Sequence, residues 1–252
     1  MQHIQNPDFP TDEPSLNEAS HRLHEAPQGL ERPLLVIGGY RSPQVLIAPI
    51  ATRLRSLLKP QPSQFLAVTV PLATSIAGAA RTVSLALTAA GRQNDTFDVI
   101  GFSMGGLVAR AMAAGMIPGI EPLRIARLFT LATPHRGAVV AKVVAPDSAA
   151  IDMMPGSPFL RSLDDALPRR TYDLHCYSYL RDWWVGTHNT APEGFGLHWV
   201  DPAGLASRML AHFTICRSRP VALDVALKLK GLKTLSVRAT EPPRVGPFTR
   251  SL

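Results

Sequence analysis

The sequence predicts an α/β domain: a mainly parallel sheet with helices on both of its faces. Three observations predict it. Short, continuous apolar runs recur along the chain, as strands buried on both faces require. Between them lie stretches with apolar residues at helical spacing, which makes the repeating unit strand–helix–strand. One strand-to-helix junction, Gly101-Phe102-Ser103-Met104-Gly105, brackets a serine with glycines. The 252 residues, 46% hydrophobic and 18% charged, are enough for one large domain with a well-buried core and too few for two ordinary ones with linkers.

Each element has its own justification. Residues 1–32 are polar and broken by prolines, which predicts a disordered arm before a single domain over 33–252. Pro33–Ile37 is the first apolar strand, and Gly38-Gly39-Tyr40 ends it in a loop. Val45–Leu58 carries apolar residues at helical spacing, with Arg53 and Arg55 on the other side. Phe65–Val70 is the next strand, stopped by Pro71, and Ser75–Ala90 is an alanine-rich helix ended by Gly91. The strand Phe97–Ile100 leads into Ser103, and a helix follows over Leu107–Ala114. Arg127–Ala132 is a further strand, closed by Thr133-Pro134-His135-Arg136-Gly137. Residues 138–168, with Pro146, Pro155 and Pro158, break the alternation and predict a small cap or lid-like excursion of short helices. Tyr172–Leu180 is a strand, Val221–Leu229 a helix, and Thr234–Arg238 a late edge strand.

Charge is uneven. The net charge is +7, yet residues 1–32 set six acids against Arg22 and Arg32, so that segment carries −4 and the remainder +11. Much of the excess lies after His212, in Arg217, Arg219, Lys228, Lys230, Lys233, Arg238, Arg244 and Arg250. Such a surface allows weak association with anionic membranes, and its plain alternative is a solvated face. No zinc-finger, RNA-binding or basic-zipper pattern is present, so nucleic acid is not an expected partner. No apolar run reaches the roughly 18 residues of a membrane span, and no secretory pattern opens the chain, so the expected location is cytoplasmic. The two cysteines, Cys176 and Cys216, form no framework, and a reduced compartment suits them.

The chemistry centres on Ser103. A serine on a sharp strand-to-helix turn holds a strained backbone, so the residues two before and two after it must be small, as Gly101 and Gly105 are. The turn lifts its hydroxyl clear of the sheet and sets it at a helix N-terminus, where developing negative charge is favoured. A serine hydroxyl is a weak nucleophile until a base takes its proton, and the base needs an acid to orient it. On strand-to-helix elbows of this kind the chain order is serine, acid, histidine. Among the later histidines, His135 sits in a proline-flanked turn, His175 inside a strand, and His188 and His198 in the loop after Asp182. His212 precedes the last long helix, where a short loop can aim it at the serine, so it is the expected base, with His198 or His188 as the alternative. Asp182, just past a strand end, is the expected acid; its plain alternative is a partner for Arg181. Asp173, Asp201 and Glu193 are rivals, with Asp147 and Asp152 in the expected cap. An oxyanion needs two backbone N–H donors: Met104, directly after the nucleophile, and either Gly39 or Tyr40. No metal or organic cofactor is required.

Together, G-F-S-M-G-G, L-A-T-P-H-R-G, Asp182 and late His212 in this order resemble the α/β-hydrolases. The resemblance is to the branch of triacylglycerol lipases and lipase-like serine esterases. Thr133–Gly137 is similar to a recurrent signature of that branch, and M-M-P-G-S-P-F-L at Met153–Leu160 is similar to a piece found after it. The resemblance covers Pro33 to about Leu229, although Ile37-Gly38 stands where such lipases usually read His-Gly. It implies a serine hydrolase of lipid-like acyl esters working through an acyl-enzyme. An acyltransferase using the same triad, or a non-catalytic binding module of the same fold, is the alternative.

Overall fold

Successive side chains of a strand point to opposite faces, and β1 (Leu34–Ile37) shows why its run is apolar throughout. Leu34 and Val36 enter one core, Leu35 and Ile37 the other, and all four are fully buried. A computed structural model describes residues 3–138, 140–141 and 147–245. Among them, five further strands follow: β2 (Phe65–Val68), β3 (Thr96–Phe102), β4 (Arg124–Leu131), β5 (Asp173–Tyr179) and β6 (His198–Val200). They form one sheet in the order β2-β1-β3-β4-β5-β6 with every pairing parallel. The chain moves one way from β1 to β2, then returns to the other side of β1 as β3. The switch point therefore lies between β1 and β3, and a crevice for ligand opens there, beyond the strands' carboxyl ends. Gly39 and Ser103 both lie at those ends.

The helices are α1 (Glu13–Glu25), α2 (Gln44–Leu58), α3 (Ile76–Ala89), α4 (Met104–Ala113), α5 (Ser148–Asp152), α6 (Pro158–Ala166), α7 (Leu205–Met209), α8 (Ala211–Thr214) and α9 (Arg219–Leu229). Residues of α1, α2 and α9 share one core with one face of the sheet, and α3 and α4 share the other. Helix α4 is buried from Met104 to Met112, so apart from Arg110 it is apolar all round rather than on one stripe.

The structure corrects the expected N-terminal arm. Asp12 caps α1 by accepting the Ser15 N–H at 2.9 Å, and Pro14 stands in its first turn. Leu16, Ala19 and Leu23, at helical spacing, are buried, and α1 packs against α9 and α2. Phe9 is 1% exposed. Burying a side chain the size of Phe9, Leu16 or Leu23 stabilises by about 2 kcal/mol, and these contacts tie the segment to the domain. The acidic start of the chain also meets its basic end: Glu13 pairs with Arg219 at 2.7 Å and Asp8 with Arg238 at 3.0 Å. These exposed pairs contribute under about 1 kcal/mol each and mainly set register.

Two smaller differences concern the late sheet. Residues 234–238 form no strand; the Ser236 N–H and hydroxyl instead donate to the buried Asp224 carboxylate. Asp224 also accepts from the Tyr177 hydroxyl at 2.7 Å. His198, expected in a loop, lies in β6. In the expected cap, residues 139 and 142–146 lie outside the described residues, as do 246–252. The described part carries α5, capped by Asp147, and α6, capped by Ser157.

Candidate active site

The elbow is built by close backbone approach. Ser103 has φ 52° and ψ −125°, a conformation that costs a non-glycine residue on the order of 1–3 kcal/mol. Its N–H donates to the Leu131 carbonyl at 2.8 Å, and its own carbonyl accepts from the Thr133 hydroxyl at 2.8 Å. A Cβ on Gly101 would lie 2.5 Å from the Gly106 backbone, and one on Gly105 would land on the Ile37 carbonyl oxygen. The two glycines let α4 start directly against β1 and β3.

The structure brings Ser103, Asp182 and His212 together. His212 Nε2 lies 3.0 Å from Ser103 Oγ, and its Nδ1 lies 2.9 Å from Asp182 Oδ2. A carboxylate only accepts, so Nδ1 carries the proton and the Nε2 lone pair faces the serine hydroxyl. Asp182 Oδ1 accepts the N–H groups of Trp184 and Val185, both at 3.1 Å, which fixes the carboxylate in its turn after β5. Asp182 is fully buried and His212 nearly so. Aromatic rings frame the imidazole: Phe102 at 5.4 Å, Trp184 stacked at 6.4 Å, and Phe213 edge-on at 5.2 Å.

Met104 opens α4, so its N–H is among the first-turn donors without an intrahelical partner. Gly39 passes so close to the serine that a Cβ on it would lie 2.9 Å from Ser103 Cβ. Tyr40 reaches across the site instead. Its hydroxyl donates to Asp147 at 2.5 Å, and Arg41 binds the same carboxylate at 3.0 Å. Burial first, then the Asp147 bond and charge, push the Tyr40 phenol up to about 12. Beside Ser103 and His212 lies a cleft of about 100 Å³, lined by Tyr40, Pro134, Ala138, Val140, Ala141, Ala150, Met153, Trp184, Val185 and Phe213. A larger hollow of about 530 Å³, around Trp183, His188 and Arg244, contains none of the three residues. The smaller, apolar cleft is the one with chemistry at its edge.

The remaining candidates are placed elsewhere. Asp173 and Glu193 are exposed, His188 lies in the 187–190 turn, and Asp201 is buried in an ion cluster. Asp152 lies in α5, and Asp147 is tied to Tyr40 and Arg41. His175 stacks on Phe129 and His198 on Tyr177. His135, from the Thr133–Gly137 segment, is a core connector. It meets Arg110 Nη1 at 2.9 Å on Nδ1 and Thr130 Oγ1 at 3.0 Å on Nε2. Arg110, itself 1% exposed, also donates to the Leu163 carbonyl. This linkage was not legible from the sequence; an arginine inside an otherwise apolar helix was its one signal. Cys176 and Cys216 are buried free thiols, and burial pushes Cys176 up to about 11.

The buried histidines predict a pH dependence of stability. Burial holds His175 and His198 down to about 4 and His135 well below the ordinary 6.5, the charges of Lys228 and Arg110 adding to it. Below pH 6.5 the unfolded chain takes up protons that the native state refuses, so stability is present above that pH and is lost as pH falls. For His198 the loss approaches on the order of 3 kcal/mol near pH 4. Urea melts at pH 7.5 and 4.5 should show a clear drop in midpoint, smaller in His198→Gln. Equal midpoints in the wild type would contradict it.

A family model described as palmitoyl protein thioesterase matches residues 55–178. No curated protein matches the sequence. Among solved structures, Bacillus licheniformis lipase BlEst2 in its mature form superposes with a TM-score of 0.59 at 12% identity, over 82% of this chain and 94% of that one. Aspergillus fumigatus lipase B superposes with a TM-score of 0.56 at 14% identity, over 98% of this chain and 67% of that one. At such identities the likeness is one of fold.

Proposed function

For this chain, whose fold is that of the lipase-like α/β-hydrolases, we propose a serine hydrolase that cleaves carboxylic esters with lipid-like acyl groups. The observation that carries it is the hydrogen-bonded line Ser103 Oγ–His212–Asp182, at 3.0 and 2.9 Å. Ser103 Oγ attacks the acyl carbon as its proton passes to His212 Nε2, while Asp182 holds Nδ1–H and stabilises the charged imidazole. The tetrahedral oxyanion takes N–H donors from Met104 and from the Gly39–Tyr40 loop. His212 then returns the proton to the leaving oxygen, and water, deprotonated by the same imidazole, releases the acid. The apolar lining of the cleft favours an acyl chain over a charged group. The match to the palmitoyl protein thioesterase family favours thioesters as a second substrate class; their leaving sulfur asks nothing different of the triad.

Two measurements test it. A fluorophosphonate probe should label the folded protein at Ser103, located by peptide mass spectrometry. A chain-length panel of p-nitrophenyl esters and acyl thioesters should show turnover with free acid as product. A folded protein that neither labels nor turns over any of them would leave a binding module of this fold. Transfer to an added alcohol outpacing acid release would leave an acyltransferase.

A further inference from the structure

Asp201 lies directly after β6 and is 6% exposed as a residue, with its carboxylate fully buried. A buried carboxylate persists only if its oxygens are bound on all sides. Oδ1 accepts from Arg181 Nε at 2.8 Å, and Oδ2 lies 3.3 Å from Arg181 Nη2. Oδ2 also takes the Ile4 N–H at 3.0 Å and Arg208 Nη2 at 3.5 Å, and His3 Nδ1 stands 3.7 Å away. Arg208 Nε in turn donates to the Pro202 carbonyl at 3.1 Å.

The positions of the two arginines in the chain give this cluster its meaning. Arg181 immediately precedes Asp182, so holding it fixes the turn that presents the acid. Arg208 sits in α7, four residues before His212, with only Met209 and Leu210 between it and the start of α8. One carboxylate thus grips both the loop of the acid and α7, the short helix that leads directly into the one carrying the base, at a place that touches neither substrate nor reacting atoms. A pair set 2.9 Å apart on a turn and a separate helix needs some such common anchor, because a drift of about 1 Å in a base can cost on the order of 100-fold in rate.

We propose that Asp201 is a positioning residue: through Arg181 and Arg208 it holds the Asp182 turn and the α7 lead-in to the His212 helix in register for proton transfer. This rests on the serine-hydrolase reading above. The clamp acts on the chemical step rather than on substrate capture, since the cleft lining contains none of Asp201, Arg181 and Arg208.

The test uses the full chain and a p-nitrophenyl ester that the wild type turns over. Arg208→Gln breaks the arm to His212 at a helix that is only partly buried, so the fold should survive. Its kcat should fall at least 10-fold with KM within about twofold and an unchanged circular-dichroism spectrum, and Arg208→Lys should recover part of the loss. Asp201→Asn should show the same kcat-specific loss, and adding Arg208→Gln to it should cost little more. Full kcat in folded Arg208→Gln and Asp201→Asn would overturn the clamp while leaving the hydrolase reading intact. So would losses that merely track the folded fraction. A wild type that neither turns over esters nor labels at Ser103 would overturn both.

Discussion

Ser103→Ala should abolish ester hydrolysis while leaving the fold intact. Removing the nucleophile of such a triad typically lowers kcat by about 10⁴- to 10⁶-fold, because His212 and Asp182 then have no proton to move. Some acceleration over water should remain, supplied by binding and the oxyanion donors alone. Alanine keeps the Cβ, so the φ 52° backbone is as strained as before and the melting temperature should barely move. Initial rates with a p-nitrophenyl ester, beside a thermal melt, check both halves. Activity within tenfold of wild type would remove Ser103 from the mechanism.

Gly105→Ala should be damaging in a different way, by adding one methyl group. The new Cβ would land on the Ile37 carbonyl oxygen and lie 2.7 Å from that of Gly38. Both obstacles are backbone, so neither can rotate away. Either β1 must part from α4 or the elbow must distort, and overpacking of this kind typically costs 1–3 kcal/mol, sometimes more. The Gly39 loop follows β1 directly, so any relaxation also moves it away from Ser103. We expect a loss of stability of at least about 2 kcal/mol by urea melt, together with at least a 100-fold loss of ester turnover. A variant with wild-type stability and rate would show that β1 and α4 approach less tightly than the elbow requires.

How much was legible in advance follows the range of each interaction. The buried strands β1 to β5 and helices α2, α3, α4 and α9 declare themselves through local apolar runs and spacing. Their ends shifted by a few residues, as capping and fraying allow. The elbow is legible because its strain demands small residues at fixed offsets. Asp182 and His212 are less so, since only chain order and neighbourhood single them out from Asp201 or His198. Helix α1 carried readable signs, Asp12 as cap, Pro14 in the first turn and Leu16, Ala19 and Leu23 in spacing, masked by a polar, proline-rich setting. The roles of His135 with Arg110, and of Asp201 with Arg181 and Arg208, depend on contacts between residues 25, 20 and 7 apart that join different parts of the fold. No local pattern encodes such contacts. Strand β6, three residues long, is too short for periodicity to reveal.

The way the first residues pack has a consequence for how the chain is made. Phe9 rests edge-on against Tyr177 at 6.4 Å, Asp8 accepts the Val237 N–H at 2.8 Å, the Ile4 N–H is held by Asp201, and α1 packs on α9. All these partners lie in the final third of the sequence. During synthesis Phe9 therefore stays uncovered until its partner Tyr177 follows it, and Asp8 waits longer still for Val237. The parallel sheet offers no hairpin to shelter them, since each of its pairings needs a crossover. Residues 4–9 are thus made long before they can be buried, and the interval before they dock is when the nascent chain most needs protection from aggregation.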